Sequence, residues 1–170
     1  SELKDMQTVT SDTLAYIEKM KKLGNKYLIG QTTGFEALDK KTTGFNEGDL
    51  VIIAARPAMG KTALVLNMAL KNVERGKGVI FFSLEMPAEQ LMLRMLAAKT
   101  SIPLQNLRKG DMDDKEWSNL SAAFDDLNSK KLFVDDGGSI NINQLRARVR
   151  KLAQIQENNI SLVIIDYLQL

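Results

Sequence analysis

The residues at positions 55–62 are of the types that bind phosphate groups. The stretch reads Ala55-Arg56-Pro57-Ala58-Met59-Gly60-Lys61-Thr62. Gly60 lets the backbone approach an anion closely, and the amides that follow it can turn inward on the β- and γ-phosphates. Lys61 would neutralise the phosphate oxygens, and the Thr62 hydroxyl would ligate Mg²⁺. The sequence therefore predicts a loop that binds the phosphates of a nucleotide.

The segments on either side of this loop are those that a phosphate loop requires. Residues 50–54 form a continuous apolar run that predicts a strand, and residues 61–73 have the composition of a buried helix. One position departs from the generic pattern, which has glycine five residues before Gly60, where this chain has Ala55. The strand–loop–helix context outweighs that departure, so a chance Gly-Lys-Thr turn is the less favoured interpretation.

Two carboxylates follow other predicted strands. Glu85 comes after the apolar segment 79–83, and Asp166 comes directly after the segment 161–165. In a parallel sheet the carboxyl ends of the strands lie at the same edge, which is also the edge of the phosphate loop. Asp166 is suited to hold Mg²⁺ directly or through water, and Glu85 to activate the attacking water. The alternative is an ordinary turn or cap role.

Apolar strands alternate with helices along the chain, which predicts a mostly parallel sheet covered by helices on both faces. This is a three-layer αβα arrangement. A further strand is predicted at 131–134, and an amphipathic helix capped by Thr10, Ser11 or Asp12 and ending at Gly24 precedes the sheet. A helix with a stripe of Trp117, Leu120 and Phe124 is expected to bury Trp117. Because the fourth strand lies next to the end of the sequence, more sheet is expected beyond Leu170.

Composition excludes several kinds of site. The 170 residues contain no cysteine and no histidine, which excludes disulfides, zinc ribbons and catalysis by Cys or His. The net charge of +2 gives no argument for nucleic acid or for a membrane surface. No signal peptide and no apolar run of about 20 residues is present, so a cytoplasmic protein is expected. The basic positions Arg146, Arg148 and Arg150 indicate a solvated helix face, or alternatively the border of a subunit interface or nucleic-acid channel.

Several motifs together resemble one family. The similarity runs from about residue 28 to residue 170, and alanine at position 55 is compatible with it. The motifs are the stretch 55–62, Ser83-Leu84-Glu85-Met86, Asp166-Tyr167-Leu168-Gln169, Thr33-Gly34-Phe35, Gly48-Asp49-Leu50 and Leu107-Arg108-Lys109-Gly110 before Glu116-Trp117. They resemble the C-terminal motor domain of bacterial replicative DNA helicases of the DnaB family.

The resemblance implies a RecA-like P-loop ATPase that uses ATP and Mg²⁺. It implies a homo-hexameric ring around single-stranded or forked DNA, with primase and a helicase loader as partners, in the cytoplasm near the nucleoid. Residues 1–28 would be a linker helix and connector, and residues 29–170 the motor core, incomplete at its C-terminal end. The DNA-contacting loops and the arginine finger would lie beyond residue 170.

The resemblance also assigns site residues. Glu85 and Lys61 would be the catalytic pair, Thr62 and Asp166 the residues that hold the metal, and Arg94, nine residues after Glu85, a nucleotide contact. The predicted nucleotide-binding residues are Ala55, Arg56, Pro57, Ala58, Met59, Gly60, Lys61, Thr62, Ala63 and Arg94. Two other functions stay open: a recombinase-like or clock-type RecA ATPase that unwinds nothing, and a nucleotide-binding scaffold without turnover.

Overall fold

The computed structural model describes residues 2–24, 27–56 and 59–167. Within these ranges the chain forms seven α-helices, one short 3₁₀ turn and three β-strands. The helices are α1 (Met6–Leu23), α2 (Glu36–Thr42), α3 (Lys61–Glu74), α4 (Ala88–Thr100), α5 (Leu104–Lys109), α6 (Asp114–Asn128) and α7 (Ile142–Ala153), with the 3₁₀ turn at Gln156–Asn158. The strands are β1 (Gly78–Ser83), β2 (Leu132–Asp135) and β3 (Ile160–Asp166).

The three strands form one parallel sheet in the order β2-β1-β3. All six residues of β1 are buried. Val79 and Phe81 pack into a core with residues of α3 and α4, and the alternating residues Ile80 and Phe82 are buried as well. A strand that is covered on both faces must be apolar throughout, which is why this segment was recognisable from sequence. The predicted parallel α/β sheet is confirmed.

The predicted strand at 50–54 is wrong for this structure. Residues 51–56 form no strand, and Leu50 and Ile52 are 88% and 82% exposed. A strand forms where its backbone pairs with a neighbouring strand, and this segment pairs with none of the three strands of the sheet. β3 pairs with β1 on one side, and the described residues provide no strand for its other edge. The segment borders a cleft of about 2170 Å³ whose opposite wall includes β3.

A buried network of hydrogen bonds connects α3 to residues 32–39. Asn72 is fully buried on α3, and its amide donates to the carbonyl oxygens of Thr32 (2.9 Å) and Met68 (2.8 Å). Asp39, on α2, accepts hydrogen bonds from the Thr32 hydroxyl and from the Thr33 amide (2.7 Å). Burial raises the pKa of Asp39, but these hydrogen bonds outweigh it and hold the pKa below its usual value.

We expect Asp39→Ala to lower the free energy of unfolding by about 2–4 kcal/mol, because Thr32 and Thr33 would lose a charged partner inside the protein. Chemical denaturation measures the loss. Asp49→Ala is the matched control, since the Asp49 carboxylate accepts from the Asn46 amide (2.9 Å) at an exposed turn. Equal losses for the two variants would contradict a special role for Asp39.

The loss of stability caused by Asp39→Ala should depend on pH. The pKa of Asp39 is lower in the folded protein than in the unfolded chain. Its stabilisation is therefore complete above the unfolded pKa of about 4 and is lost as the pH falls through the folded pKa. The difference in unfolding free energy between wild type and Asp39→Ala should shrink in acid.

The first helix begins earlier than predicted. Its N-cap is Asp5, whose carboxylate accepts from the Thr8 amide (2.8 Å), so the predicted caps Thr10, Ser11 and Asp12 lie inside the helix. The helix ends at Gly24 as predicted, with φ of 72°. α1 has no buried residue. Of the helices in the described part of the chain, none is long and apolar enough to cross a bilayer.

The predicted burial of Trp117 is also wrong. The side chain is 50% exposed, and Phe124 on the same helix is 40% exposed, whereas Leu120 is buried. α6 starts with a capping box in which Asp113 and Glu116 bond reciprocally. Its buried residues are Leu120 and Ala123, and Trp117 lies beside the face that they form. On α7 the basic positions Arg146, Arg148 and Arg150 are all exposed, as a solvated face requires.

Candidate active site

The phosphate-type loop leads directly into the N-terminus of α3. The Met59 amide donates to the Arg56 carbonyl (3.2 Å) just before the helix begins. Gly60 is the N-cap, with φ of 83° and ψ of 17°, a left-handed conformation that L side chains rarely adopt. Among the described residues, no acidic side chain stands in the first turn of α3 and none caps it. The amides at this end can therefore bind an anion. The predicted site residues Pro57 and Ala58 lie outside the described residues.

Lys61, Thr62 and Asp166 meet at one point. The Thr62 hydroxyl donates to Asp166 Oδ2 (3.0 Å), and Lys61 Nζ lies 3.7 Å from Asp166 Oδ1. Asp166 is 8% exposed at the end of β3. A buried carboxylate without partners is unfavourable, so the lysine and the hydroxyl together stabilise it. The proximity that the sequence predicted for these three groups is present.

Glu85 lies just past the end of β1, on the same edge of the sheet. Ser83 pairs with Asp166 across the two strands, and the Leu84 amide donates to the Asp166 carbonyl (2.9 Å). The Ser83 hydroxyl donates to the Met86 carbonyl (2.6 Å), which fixes the turn that carries Glu85. The Glu85 side chain is exposed, and its carboxylate accepts a hydrogen bond from the Tyr167 hydroxyl.

The two aspartates at the end of β2 support this edge of the sheet. Asp136 accepts from the Ala88 amide (2.8 Å) and so holds the start of α4, close to Glu85 in sequence. Asp135 accepts from the Gly137 amide (3.1 Å) and pairs with Arg148 of α7. Burial raises the pKa of Asp135, but these partners outweigh it and lower the pKa. Asp136 thus caps the start of α4, and Asp135 stabilises the turn after β2 and connects it to α7.

The other predicted contacts line the cleft beside this cluster. Ala55, Arg56, Met59 and Ala63 are exposed along it. Arg94, on α4, borders the same cleft, and its Nε atom is buried with no hydrogen-bond partner in the described structure. A buried guanidinium nitrogen without a partner is unfavourable unless a ligand supplies an acceptor. This position is compatible with the predicted nucleotide contact, which stays a prediction.

The donors present fit Mg²⁺ bound together with phosphate. Within the described ranges no group of three or more acidic residues forms a metal cage. Mg²⁺ does not require one, because it keeps several waters and binds proteins through one or two oxygen ligands plus substrate phosphates. The adjacent oxygens of Thr62 and Asp166 supply such a pair at the foot of the loop.

Tyr167 is the residue of this site to which the sequence assigned no role. Its hydroxyl contacts Glu85, and Lys61 Nζ lies 4.1 Å from the centre of its ring. The available signal was its position directly after Asp166, where the strand ends at the same edge. Both partners are distant in sequence, since Tyr167 and Glu85 are separated by 82 positions.

Comparison with known proteins identifies the family. Residues 30–170 match the family described as DnaB-like helicase C terminal domain. The chain belongs to this family. The DnaB-like chain is 44% identical over 167 residues to the replicative DNA helicase DnaB of Helicobacter pylori, covering 98% of this chain and 34% of that protein. It is 41% identical over 170 residues to the replicative DNA helicase DnaC of Bacillus subtilis, covering 99% of this chain and 36% of that protein.

Solved structures agree with the assignment. A structure described as an ATPase domain superposes on this chain with a TM-score of 0.84 at 27% identity, over 93% of this chain and 56% of that chain. A DnaB-like replicative helicase, solved in a study of its interactions with primase, superposes with a TM-score of 0.80 at 27% identity, over 90% of this chain and 38% of that chain. The fold of the DnaB-like chain is therefore of the RecA-like P-loop class.

Proposed function

We propose that this DnaB-like chain is the ATP-hydrolysing motor of a replicative DNA helicase that moves on single-stranded DNA and unwinds duplex DNA. The single observation that supports this most is the meeting of Lys61, Thr62 and Asp166 at the N-terminus of α3, with Glu85 at the end of the neighbouring strand. The chain spans 34% and 36% of the two relatives named above, so activity belongs to the longer protein.

In this proposal the phosphates of ATP bind where α3 begins. The amides at this end and the Lys61 ammonium would receive the β- and γ-phosphate oxygens, and Arg94 would offer a second cation from α4. Thr62 and Asp166 would hold Mg²⁺, which supplies charge neutralisation on the phosphate oxygens when bound. Lys61 would then exchange its partner Asp166, at 3.7 Å, for phosphate.

Glu85 is proposed to act on the attacking water. Its carboxylate is exposed to the cleft and lies at the end of β1, next to the strand that ends in Asp166. A carboxylate at this place can orient a water and accept its proton as the oxygen attacks phosphorus. The hydrogen bonds of Ser83 to Met86 and of Asp136 to Ala88 would keep the Glu85 turn in place during the step.

The proposal includes the assembly that the family resemblance implies. The protein would act as a homo-hexamer around single-stranded or forked DNA, with primase and a helicase loader as partners, in the cytoplasm near the nucleoid. A solved DnaB-like helicase that was studied with primase supports the primase partner. Residues 1–28 would connect to the ring, since α1 leaves all its side chains unburied, and residues 29–170 would form the motor core.

The test is ATP hydrolysis and strand displacement by the full-length protein. We expect single-stranded DNA to stimulate hydrolysis and a forked duplex to be unwound only when ATP and Mg²⁺ are present. Hydrolysis without displacement would instead favour a recombinase-like or clock-type ATPase. ATP binding without any hydrolysis, with or without DNA, would favour the non-hydrolysing scaffold.

A further inference from the structure

One side chain joins the two groups on which the proposed chemistry depends. The Tyr167 hydroxyl donates a hydrogen bond to Glu85 Oε1, and the ring of the same residue lies under Lys61, with Nζ 4.1 Å from its centre. This distance is within the range of a cation–π contact. The lysine and the glutamate are thus both in contact with Tyr167.

The space between Lys61 and Glu85 is where the reaction would take place. If Lys61 binds the γ-phosphate and Glu85 orients the water that attacks it, both the phosphate and the water must lie between these two side chains. Tyr167 extends from one to the other, from the face of its ring to its hydroxyl. The nucleotide and the tyrosine therefore compete for the same two groups.

We infer that Tyr167 is a positioning residue that competes with the γ-phosphate and the attacking water for Lys61 and Glu85, and that it must release Glu85 before ATP can be hydrolysed. This inference rests on the proposed ATP site. Tyr167 acts through Glu85 and Lys61 and takes no part in proton or phosphoryl transfer. A phosphate loop can bind nucleotide without a residue that competes for Lys61 and Glu85.

The competition predicts how nucleotide affinity should change when Tyr167 is altered. A ligand that binds only the released state has its apparent affinity reduced by the fraction of protein in that state. Removing the Tyr167 hydroxyl should raise this fraction, because the hydrogen bond to Glu85 is lost while the ring under Lys61 remains. We expect Tyr167→Phe to bind a non-hydrolysable ATP analogue with Mg²⁺ about 2- to 10-fold more tightly, the range of one exposed hydrogen bond.

Tyr27→Phe is the matched control. Tyr27 also lies under a lysine, with Lys40 Nζ 5.5 Å from its ring centre, but its side chain is 43% exposed and borders a different, smaller pocket. The same hydroxyl is removed beside the same kind of cation, away from Glu85. Nucleotide affinity should be unchanged in this variant.

The experiment measures the dissociation constant of the analogue for full-length wild type, Tyr167→Phe, Tyr27→Phe, Glu85→Ala and the double variant Tyr167→Phe/Glu85→Ala. Tighter binding by Tyr167→Phe that vanishes in the Glu85→Ala background supports the inference, because the two residues then act through one contact. A structural role for Tyr167 predicts weaker binding together with a lower melting temperature.

Unchanged or weaker binding by Tyr167→Phe would overturn the inference, and so would tightening that persists without Glu85. These outcomes leave the proposed function intact as long as the wild type binds the analogue and hydrolyses ATP. Failure of the wild type to bind any nucleotide would overturn the ATP site itself. The two failures are therefore distinguishable in the same set of measurements.

Discussion

Lys61→Ala should abolish productive ATP binding, with kcat/KM for hydrolysis falling about 100-fold or more in the full-length protein. The Lys61 ammonium is the cation at the N-terminus of α3, 3.7 Å from Asp166 and next to Thr62. Its removal takes away the charge that would neutralise the phosphate oxygens and also leaves Asp166 with one partner fewer. Steady-state hydrolysis and titration with a labelled ATP analogue measure the two effects separately.

The control for this variant lies on the same helix. Lys71→Ala removes an exposed lysine of α3 whose Nζ is 3.7 Å from Glu74, a surface pair of small energetic weight. We expect near-normal hydrolysis for Lys71→Ala, and melting temperatures of both variants establish that each folds. Near-normal ATPase activity in Lys61→Ala would refute the phosphate-loop assignment.

The elements that were predicted well from the sequence are those whose local composition and periodicity indicate their secondary structure. β1 and β3 are apolar or β-branched almost throughout, which identifies them as strands, and the observed strands exceed the predicted ones by one residue at one or both ends. β1 is buried along its whole length, whereas most of β3 is half-buried. α3 was predicted within one residue for the same reason, because apolar side chains repeat along it. Lys61 begins α3 and Asp166 ends β3, so the packing of these elements brings the two side chains together.

The errors concern features that depend on residues far away in sequence. The segment 50–54 is as apolar as β1, yet it forms no strand, although β3 lines the same cleft and has one edge without a described partner strand. Strand formation requires backbone pairing, which apolar composition alone does not establish. Trp117 shares a stripe with Leu120, but the face of α6 that packs on the core is formed by Leu120 and Ala123, and Trp117 lies beside it. The start of α1 was missed because Asp5 and the later candidates are equally good caps by type.

In the active site, too, local sequence predicted some features, whereas others depend on residues far away in sequence. Residue types and strand ends indicated which groups could carry the chemistry, because the carboxyl ends of parallel strands lie at the same edge as the phosphate loop. What surrounds each group could not be predicted. The contact of Tyr167 with Glu85 spans 82 positions, and the hydrogen bond from the Ala88 amide to the Asp136 carboxylate spans 48. Such contacts follow from the register of the sheet, which composition does not fix to a single residue.

Glu85→Gln should leave ATP binding largely intact while hydrolysis falls by about 100- to 10,000-fold, the usual range for loss of a positioned general base. The amide keeps the size of the side chain and can still accept a hydrogen bond from Tyr167, but it cannot accept a proton from water. The residues that would bind phosphate, Lys61 and Thr62, are untouched. Binding of a labelled analogue and single-turnover hydrolysis separate the two steps.

Glu89→Gln provides the comparison, because Glu89 is a glutamate in the first turn of α4, four residues further along the same connection. The same change of carboxylate to amide there should leave kcat unaltered. A loss of hydrolysis in Glu85→Gln alone is then due to the position of the carboxylate and not to the loss of one negative charge. If Glu85→Gln instead lost binding and turnover in equal measure, Glu85 would be a structural residue of the turn after β1. Hydrolysis would then have to depend on another group at this edge, since the water beside the γ-phosphate still needs a proton acceptor.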